Sequence, residues 1–466
     1  MKYEVGTVIL SAGAGTRMNL SLPKPLAPFL GKCLVDYPLS QSIKMMDKVA
    51  ESKSFTGLVT GHGKDLVEDY INENYKNHKI SYAFQAEQLG TAHALKCYFD
   101  QIEDARNCEY TLVMCADTPL IESEALEHLY NEIKSNNLDG VAATFEVSNP
   151  KGYGRILRSG SKGFHIVEEK DANEEERKVQ EVNSGMYVLK TSFILEHLYS
   201  IGSENKSGEF YLTDLFKDDF NVAPILFENG SSFIGVNNLE QLEKSEIIMR
   251  KRIISSLREK GVRFVDSRHT YVNTANIGER TFIHPNVSID YLSVIGKNVT
   301  IEPGSVIINS TIEDGVTVKA YSHLEEVTLR SNSVVGPYAR LRPGADIGEE
   351  SKIGNFVEIK KSKLERGVKV SHLSYVGDAE IGEETNIGCG FITCNYDGAN
   401  KHKTIIGKKS FIGSDSQTVA PVSIGNECFV ASGSTVTHDM EDGSFAISRT
   451  KQVTKDGMAK RFLKSK

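Results

Sequence analysis

A short loop near the N-terminus combines two glycines with basic side chains. It reads Leu-Ser-Ala-Gly-Ala-Gly-Thr-Arg-Met over residues 10–18, with Leu-Pro-Lys-Pro-Leu over 22–26, directly after an apolar run. Closely spaced glycines let backbone N–H groups converge on an anion, and Arg17 and Lys24 add charge for phosphates. The dinucleotide-binding pattern fails because Met18 occupies its third glycine position, and the Walker pattern lacks its Gly-Lys-Ser/Thr. We predict a phosphate site of another type; the alternative is a turn with solvated charges.

Two further segments follow predicted strands and could complete this site. One is Gln-Ala-Glu-Gln-Leu-Gly-Thr at 85–91, and the other is Met-Cys-Ala-Asp, which ends at Asp117. Ligands of α/β sheets bind at the carboxyl ends of the strands. Mg²⁺ prefers few protein oxygens plus water and phosphate, which makes Asp117 a candidate ligand. An isolated aspartate at this place is more often a helix cap.

A second group of residues with side chains that could take part in catalysis lies in the C-terminal half of the chain. Lys360, His372 and Tyr375 flank one stretch, and Asn395 and Tyr396 lie in another. A histidine among such neighbours is a candidate general base. The alternative is a purely structural region that assembles trimers.

The elements that must position the first group are strands alternating with helices over roughly the first 265 residues. This alternation predicts an α/β domain with a mostly parallel, Rossmann-like sheet and helices on both faces. The predicted strands are 5–10, 58–60, 80–84, 111–115, 141–144 and 186–189, with amphipathic helices at 92–99 and 122–133.

A long helix is predicted to link two domains. Residues 239–260 carry apolar side chains on a helical period, Asn238 can cap the first turn with Gln241 in a capping-box position, and Gly261 ends the helix.

After this helix the aliphatic residues recur every six positions, often followed by glycine, which is typical of a parallel β-helix. We expect the pattern to be loose over 362–376 and to give way to a loop over 391–405. The repeating residues are Ile277, Ile283, Ile289, Ile295, Ile301 and Ile307, then Ile312, Val318 and Leu324, then Val335, Leu341, Ile347, Ile353 and Ile359, and finally Ile406, Ile412, Ile424, Val430 and Val436.

Composition limits the remaining classes. The 466 residues predict two or three domains, and a net charge of -8 argues against a surface that binds nucleic acid broadly. No apolar run approaches the roughly 20 residues that span a bilayer, and the N-terminus lacks a signal-peptide pattern. We therefore predict a cytoplasmic enzyme with no membrane span and no nucleic-acid partner.

Both halves together resemble the bacterial family of bifunctional N-acetylglucosamine-1-phosphate uridyltransferases/glucosamine-1-phosphate acetyltransferases. Besides the glycine loop and PKP, the resemblance rests on ARLRPGA (339–345), GNFVEIKK (354–361), TCNYDGANK (393–401) and AISR (446–449). It implies a uridyltransferase domain (1–237), a linker helix (238–262), a left-handed β-helix acetyltransferase domain (263–448) and a C-terminal tail (449–466). The tail has seven Lys/Arg and one acid, Asp456. Such a basic tail is usually just solvated; the alternative is that it helps to hold the phosphates of acetyl-CoA.

In the first domain, the resemblance implies that Arg17 and Lys24 act on the phosphates and that Asp117 and Asn237 ligate Mg²⁺. N-acetylglucosamine-1-phosphate would contact Gly154, Glu168, Asn183 and Asn237. UTP would contact Leu10, Ser11, Ala12, Gly13, Lys24, Gln85, Gly90, Thr91, Cys115, Ala116 and Asp117.

In the second domain, the resemblance implies that His372 is the general base of acetyl transfer. Glucosamine-1-phosphate would contact Arg342, Lys360, Tyr375 and Asn386. Acetyl-CoA would contact Cys389, Asn395, Tyr396, Ser414, Ser432 and Arg449.

The resemblance further implies a homotrimer assembled through the β-helix. The sequence departs from the family pattern at Ala14, where lysine is usual, at Cys115-Ala116, where Tyr-Gly is usual, and at Cys389 and Ser432, where alanine is usual. Two alternatives remain open: a monofunctional nucleotidyltransferase whose β-helix only trimerises, and a non-enzymatic subunit that binds sugar nucleotides.

Overall fold

The structure is a computed structural model that describes residues 3–13, 15–50, 53–159 and 163–463. The chain divides into two compact units, Met1–Met249 and Arg250–Lys466, which are considered separately. Ala14, one of the departures noted above, lies outside the described residues, as do residues 464–466 of the basic tail.

The first unit is built on a mixed sheet. Its central strands are buried along nearly their whole length, as expected where helices cover both faces. The strand order is β9-β5-β8-β4-β1-β2-β3, with β6 beside β8 and β7 beside β6. Within the described ranges the strands are β1 (Tyr3–Leu10), β2 (Ser54–Thr60), β3 (Ile80–Phe84), β4 (Cys108–Cys115), β5 (Gly140–Glu146), β6 (Arg155–Ser159), β7 (Gly163–Val167), β8 (Glu181–Lys190) and β9 (Val222–Phe227).

Helices pack on both faces of this sheet, as predicted. Leu95 and Ile194 lie in one buried cluster, and Met45 and Leu129 lie in another. The helices are α1 (Asp36–Val49), α2 (Lys64–Asn74), α3 (Thr91–Gln101), α4 (Ser123–Ser135), α5 (Thr191–His197) and α6 (Leu239–Glu259). Shorter elements are a hairpin (Pro28–Phe29 with Lys32–Cys33) and 3₁₀ turns at Thr16–Met18, Lys24–Leu26, Glu103–Asn107, Glu176–Lys178, Leu198–Ser200, Leu212–Leu215 and Gly230–Phe233.

The sheet is less parallel than the alternation of strands and helices suggested. β8 runs antiparallel to both neighbours, β4 and β5, and β6 and β7 form an antiparallel hairpin beside it. The β6–β7 hairpin and strand β9 were not predicted from the sequence. Strand direction depends on the connections between strands. The apolar run 186–189 predicts a strand but carries no information on whether that strand is parallel or antiparallel to its neighbours.

Helix α6 begins and ends close to its predicted bounds. The N–H group of Gln241 donates to Asn238 Oδ1 at 2.8 Å. The reciprocal bond differs from a standard capping box, because Gln241 Oε1 accepts from the N–H of Asn237 at 2.7 Å. At the other end Gly261 adopts φ +86°, a left-handed conformation that suits glycine.

The second unit is a coil of short parallel strands in three stacks. Within each stack, every strand except the first and the last pairs with strands of the coils before and after it, and the stacks form separate sheets that fit a left-handed β-helix. The first stack contains Arg263–Phe264, Phe282–Ile283, Thr300–Ile301, Thr317–Val318, Val334–Val335, Lys352–Asn355, Lys369–His372, Asn386–Ile387, Phe411–Ile412, Phe429–Val430 and Phe445–Ala446.

The other two stacks complete each coil. The second contains Tyr271–Val272, Ser288–Ile289, Val306–Ile308, His323–Glu325, Arg340–Leu341, Glu358–Lys360, Tyr375–Gly377, Ile392–Cys394, Gln417–Val419 and Thr435–Val436. The third contains Val294–Ile295, Thr311–Ile312, Thr328–Leu329, Asp346–Ile347, Lys363–Leu364, Ala379–Ile381, Thr404–Ile406 and Val422–Ile424, and 3₁₀ turns lie at Ser267–His269 and Met458–Arg461.

The six-residue repeat fills the core of this coil. Ile283, Ile289 and Ile301 are fully buried, and they belong to one continuous cluster with the other repeating aliphatic residues. Each coil therefore contributes one aliphatic side chain per stack, and stacking of coils removes these side chains from water.

The two expected irregularities have different outcomes. Residues 362–376 are regular, because Leu364, Val370 and Val376 are buried at six-residue spacing after a one-residue slip from Ile359. The loop predicted over 391–405 is present but shorter, because Ile392–Cys394 and Thr404–Ile406 are strands of the coil and the loop lies between them. Its extra length shows in the register: 25 residues separate the paired residues Asn386 and Phe411, against 17 or 18 in the adjacent coils. In the described part of the chain, no helix is long and apolar enough to cross a membrane.

Candidate functional site

The first candidate site lies where parallel strands β1, β2 and β4 end. Leu10 is paired with Val59 on one side and Cys115 on the other. Just beyond the strands, the N–H of Ser11 donates to Val59 O at 2.9 Å and the N–H of Ala116 donates to Leu10 O at 3.0 Å. The register of the sheet thus brings the glycine loop and the segment around Asp117 to one edge.

These loops enclose a cavity of about 320 Å³. Every residue predicted to contact UTP lies in its wall, including Lys24, Gln85 and Asp117. Pro25, which lies in the segment 22–26, and Gln88, which lies in the segment 85–91, were not singled out from the sequence. Ala94, which lies three residues after that second segment, was also passed over. Glu209 lies in no motif, and the sequence offered no signal for it. Together these four complete the lining.

Two glycines permit close packing around this cavity. Gly15 adopts φ +64°, and a Cβ there would lie 2.6 Å from the Cβ of Lys24. Gly90 adopts φ +112°, and a Cβ there would lie 2.5 Å from the carbonyl oxygen of Phe210. Both positions exclude side chains through conformation and space, so each glycine keeps its loop close to the cavity.

Four polar side chains meet at the cavity's edge. Lys24 Nζ donates to Asp117 Oδ2 and, at 3.0 Å, to Asn237 Oδ1. Arg17 donates to the same Asn237 oxygen at 3.1 Å. A backbone hydrogen bond of 2.8 Å from Val236 N to Asp117 O holds the segment before α6 in place. The structure therefore gathers residues that lie up to 220 positions apart.

This arrangement fits a divalent cation. The carboxylate of Asp117 and the amide oxygen of Asn237 already converge on one positive charge, the ammonium of Lys24. Among the described residues, no group of three or more His, Cys, Asp or Glu side chains could hold a metal. Two oxygen donors suit Mg²⁺, which completes its coordination with water and phosphate oxygens.

Cys115, where the sequence departs from the family pattern, stays neutral. Burial, followed by the nearby charge of Asp117, raises the pKa of its thiol to about 12. A protonated thiol adds no negative charge that would oppose a phosphate beside Lys24 and Arg17.

Three of the residues predicted to contact the sugar phosphate are also adjacent. Asn183 N donates to Gly154 O at 2.9 Å, and a Cβ on Gly154 would lie 3.6 Å from Glu168 Oε1. Thr213 donates to Glu168 at 3.1 Å, while burial raises the pKa of Glu168. Glu168 also lines a separate cavity of about 640 Å³. Asn237, the fourth predicted residue, belongs to the cluster around Lys24.

The second candidate site lies on the β-helix around His372. Asn355 and His372 are paired on successive coils of the first stack. The ring atom Nδ1 of His372 lies 2.8 Å from Asn355 Oδ1, an atom that can only accept, so Nδ1 carries the proton. In this tautomer of the imidazole, the lone pair is on Nε2. Asn355 was not singled out from the sequence.

Basic residues lie on the second stack near this histidine's coil. The N–H of Arg342 donates to Ile359 O at 2.9 Å, which places Arg342 beside Lys360, and its side chain donates to Glu358 at 2.8 Å. The adjacent ammonium of Lys401, then burial and the charge of Arg342, lower the pKa of Lys360. The closeness of these like charges to Lys360 marks a place that favours an anion. Tyr375 pairs with Glu358 on the same stack, whereas Asn386 belongs to the first stack.

The residues predicted to contact acetyl-CoA fall into two groups. Cys389, Ser414, Ser432 and Arg449 follow one another along the coils: Asp415 N donates to Cys389 O, Gly433 N to Ser414 O, and Arg449 to Ser432 O at 2.6 Å. Asn395 and Tyr396 begin the extruded loop, where Asn395 donates to Asp378 and the Tyr396 hydroxyl donates to Gly398 O at 2.6 Å.

Comparison with known families matches both units. Residues 6–223 match the nucleotidyl transferase family model, and residues 403–438 match the model of the hexapeptide repeat of succinyl-transferase. Fold and sites thus define a nucleotidyl transferase domain joined to a hexapeptide-repeat transferase region.

Full-length relatives narrow this class. The chain is 40% identical to the bifunctional protein GlmU of Shouchella clausii and 41% identical to those of Pelobacter propionicus and Clostridioides difficile. Each comparison covers 97% of this chain and at least 96% of the relative. The chain belongs to the GlmU family. It is therefore a bifunctional transferase, and neither an inert β-helix nor a non-enzymatic subunit is supported.

Proposed function

We propose that this chain makes UDP-N-acetylglucosamine in two steps: acetylation of glucosamine-1-phosphate by acetyl-CoA, then transfer of uridylyl from UTP with release of pyrophosphate. The observation that carries the proposal is the presence of two separate polar clusters, around Asp117 and His372, on the two units of a GlmU family member.

Acetyl transfer belongs to the β-helix unit, residues 263–448. The amine of glucosamine-1-phosphate attacks the thioester carbonyl, the carbon–sulfur bond breaks, and coenzyme A leaves as a thiol. An attacking amine must lose a proton, and Nε2 of His372 accepts it. Arg342, Lys360, Tyr375 and Asn386 bind the sugar phosphate, and the neighbouring charge of Lys401 supports an anion there.

Acetyl-CoA lies along the column formed by Cys389, Ser414, Ser432 and Arg449, beside Asn395 and Tyr396. The basic tail, 449–466, contributes positive charge for the phosphates of coenzyme A; residues 464–466 lie outside the described part.

Uridylyl transfer belongs to residues 1–237. The segment 238–262, which contains α6, connects these residues to the β-helix in the chain. A phosphate oxygen of N-acetylglucosamine-1-phosphate attacks the α-phosphorus of UTP, and the bond to pyrophosphate breaks. The substrate is its own nucleophile, so Arg17 and Lys24 act by positioning and by neutralising negative charge. Asp117 and Asn237 hold Mg²⁺, which when bound supplies further positive charge to the phosphates. The sugar lies against Gly154, Glu168 and Asn183.

The functional assembly is a homotrimer through the β-helix. Tyr321, Tyr338 and Phe356 stack with ring centroids 5.3 and 5.4 Å apart along one corner of the coil, and each ring is about half exposed. An exposed apolar column of this kind suits a protein partner, and we assign it to a second copy of the chain. All seven cysteines are free, which supports a reducing, cytoplasmic location.

The two half-reactions test this proposal separately. Purified protein with glucosamine-1-phosphate and acetyl-CoA should release thiol; with N-acetylglucosamine-1-phosphate, UTP and Mg²⁺ it should release pyrophosphate. Sedimentation should report three chains. Absence of either product would contradict the corresponding step, and a monomer would contradict the assembly.

A further inference from the structure

The side chain of Gln85 is held at the wall of the nucleotide cavity by two groups of the protein. Gln85 follows β3 and is only 3% exposed. Its Nε2 atom lies 3.2 Å from the carbonyl oxygen of Gly90 and 3.0 Å from Nδ1 of His93, a residue in the first turn of α3. The proposed function assigns no role to His93.

The chemistry of these neighbours fixes the orientation of the Gln85 carboxamide. The Gly90 carbonyl can only accept, and it also accepts from Ala94 N at 3.1 Å. The amide NH₂ must therefore face Gly90, since a rotated carboxamide would bring two acceptor oxygens together. The second amide hydrogen then donates to His93 Nδ1, which must lack a proton. Both donors of Gln85 are thus used within the protein.

The remaining polar atom of Gln85 is an acceptor. In the described part of the chain, Oε1 accepts no hydrogen bond from the protein. It is not a fully buried unpaired atom, so solvent can reach it. Because Gln85 lines the cavity, this oxygen is available to a bound nucleotide. The cavity wall therefore offers a fixed acceptor to the base.

We propose that His93 is a specificity-determining positioning residue, which selects uracil over cytosine by holding Gln85 Oε1 towards the base. Uracil carries N–H at ring position 3, whereas cytosine has a bare acceptor nitrogen there. The fixed oxygen accepts from uracil, but it opposes the acceptor of cytosine. This inference rests on the proposed uridylyl transfer and identifies how that site chooses its pyrimidine.

A packing role for His93 makes a different prediction. The ring also lies near Phe210, with centroids 6.3 Å apart, and its Nε2 is 3.8 Å from Cys97 Sγ. If the ring only packs, its replacement should slow UTP and CTP turnover by the same factor. If Nδ1 orients Gln85, replacement should reduce the preference for UTP, because only the 3.2 Å contact with the Gly90 carbonyl then restrains the carboxamide, which can rotate more easily and present its NH₂ group to cytosine.

The test measures kcat/KM for UTP and CTP with N-acetylglucosamine-1-phosphate in the full-length protein. His93→Phe keeps a ring without the acceptor, and His93→Leu is a second such variant. We expect either one to lower the UTP:CTP ratio about 10- to 100-fold, the loss of one buried hydrogen bond. His93→Asn offers an oxygen acceptor near the position of Nδ1 and should restore most of the preference.

Cys97→Ala is the matched control, since it removes the contact at the opposite ring nitrogen and should leave the ratio within about twofold. Thiol release by the β-helix and a thermal melt verify folding of each variant. An unchanged ratio in a folded His93→Phe or His93→Leu protein, or a wild-type enzyme indifferent to the base, would overturn the inference. Failure of the wild-type protein to use UTP at all would instead overturn the proposed function.

Discussion

Replacement of Asn355 by alanine should slow acetyl transfer without affecting uridylyl transfer. The Asn355 oxygen lies 2.8 Å from Nδ1 of His372, and this bond leaves Nε2 free to accept a proton. When His372 accepts that proton in the transition state, the ring becomes charged and the bond to Asn355 strengthens. A hydrogen bond to a charged group contributes about 1.5–3 kcal/mol.

Exposure reduces the expected magnitude. His372 is exposed, so water can replace part of the lost bond. We expect a loss of about 1–2 kcal/mol, which corresponds to roughly 5- to 30-fold in kcat. The KM for glucosamine-1-phosphate should change little, because Asn355 acts on the base and not on the substrate.

Thiol release from acetyl-CoA measures this effect, and pyrophosphate release in the same preparation provides the internal control. Asn355→Asp keeps an acceptor oxygen and should retain activity within a few-fold. On a His372→Ala background, Asn355→Ala should cause no further loss, because the base on which it acts is gone. An additive loss in that double variant, or an unchanged rate in the single variant, would refute the reasoning.

Three further changes test other parts of the structure. Gly90→Ala should raise the KM for UTP at least about tenfold with thiol release unchanged, because its Cβ would lie 2.5 Å from Phe210 O at φ +112°; a normal KM contradicts the packing argument. Lys401→Ala should raise the KM for glucosamine-1-phosphate about 3- to 10-fold, and less so at high salt; a salt-independent effect would argue against electrostatics. Ile301→Ala, in the fully buried core of the coil, should lower the free energy of unfolding by about 2–5 kcal/mol in urea titrations; a change below 1 kcal/mol would show that this coil tolerates a cavity.

The local motifs of the first site were predictable from sequence because each lies within a few residues. The glycine loop, the segment from Gln85 to Thr91 and Asp117 each follow an apolar strand, and parallel pairing brings such ends together. Asn237 was implied by family resemblance alone. It lies 220 residues from Arg17, and only the folded chain shows the shared hydrogen bonds.

The sequence-based predictions missed features that depend on residues distant along the chain but close in the folded protein. The antiparallel direction of β8 depends on its connections, and its apolar residues do not encode it. Asn355 lies within GNFVEIKK and His93 lies just after the segment 85–91, but neither pattern shows that these side chains contact His372 and Gln85. The apparent break at 362–376 was an error of phase, since a one-residue slip keeps Leu364, Val370 and Val376 inside the coil.

The central claim is that two separate sites act in sequence, and complementation tests it most directly. His372→Ala should lose thiol release but retain pyrophosphate release, and Asp117→Ala should show the reverse even at high Mg²⁺. Neither variant alone should convert glucosamine-1-phosphate, acetyl-CoA and UTP into UDP-N-acetylglucosamine, whereas their mixture should, because the acetylated intermediate diffuses between molecules. A mixture that stays inactive while each variant keeps its own half-reaction, or a single substitution that abolishes both half-reactions in a folded protein, would contradict the account.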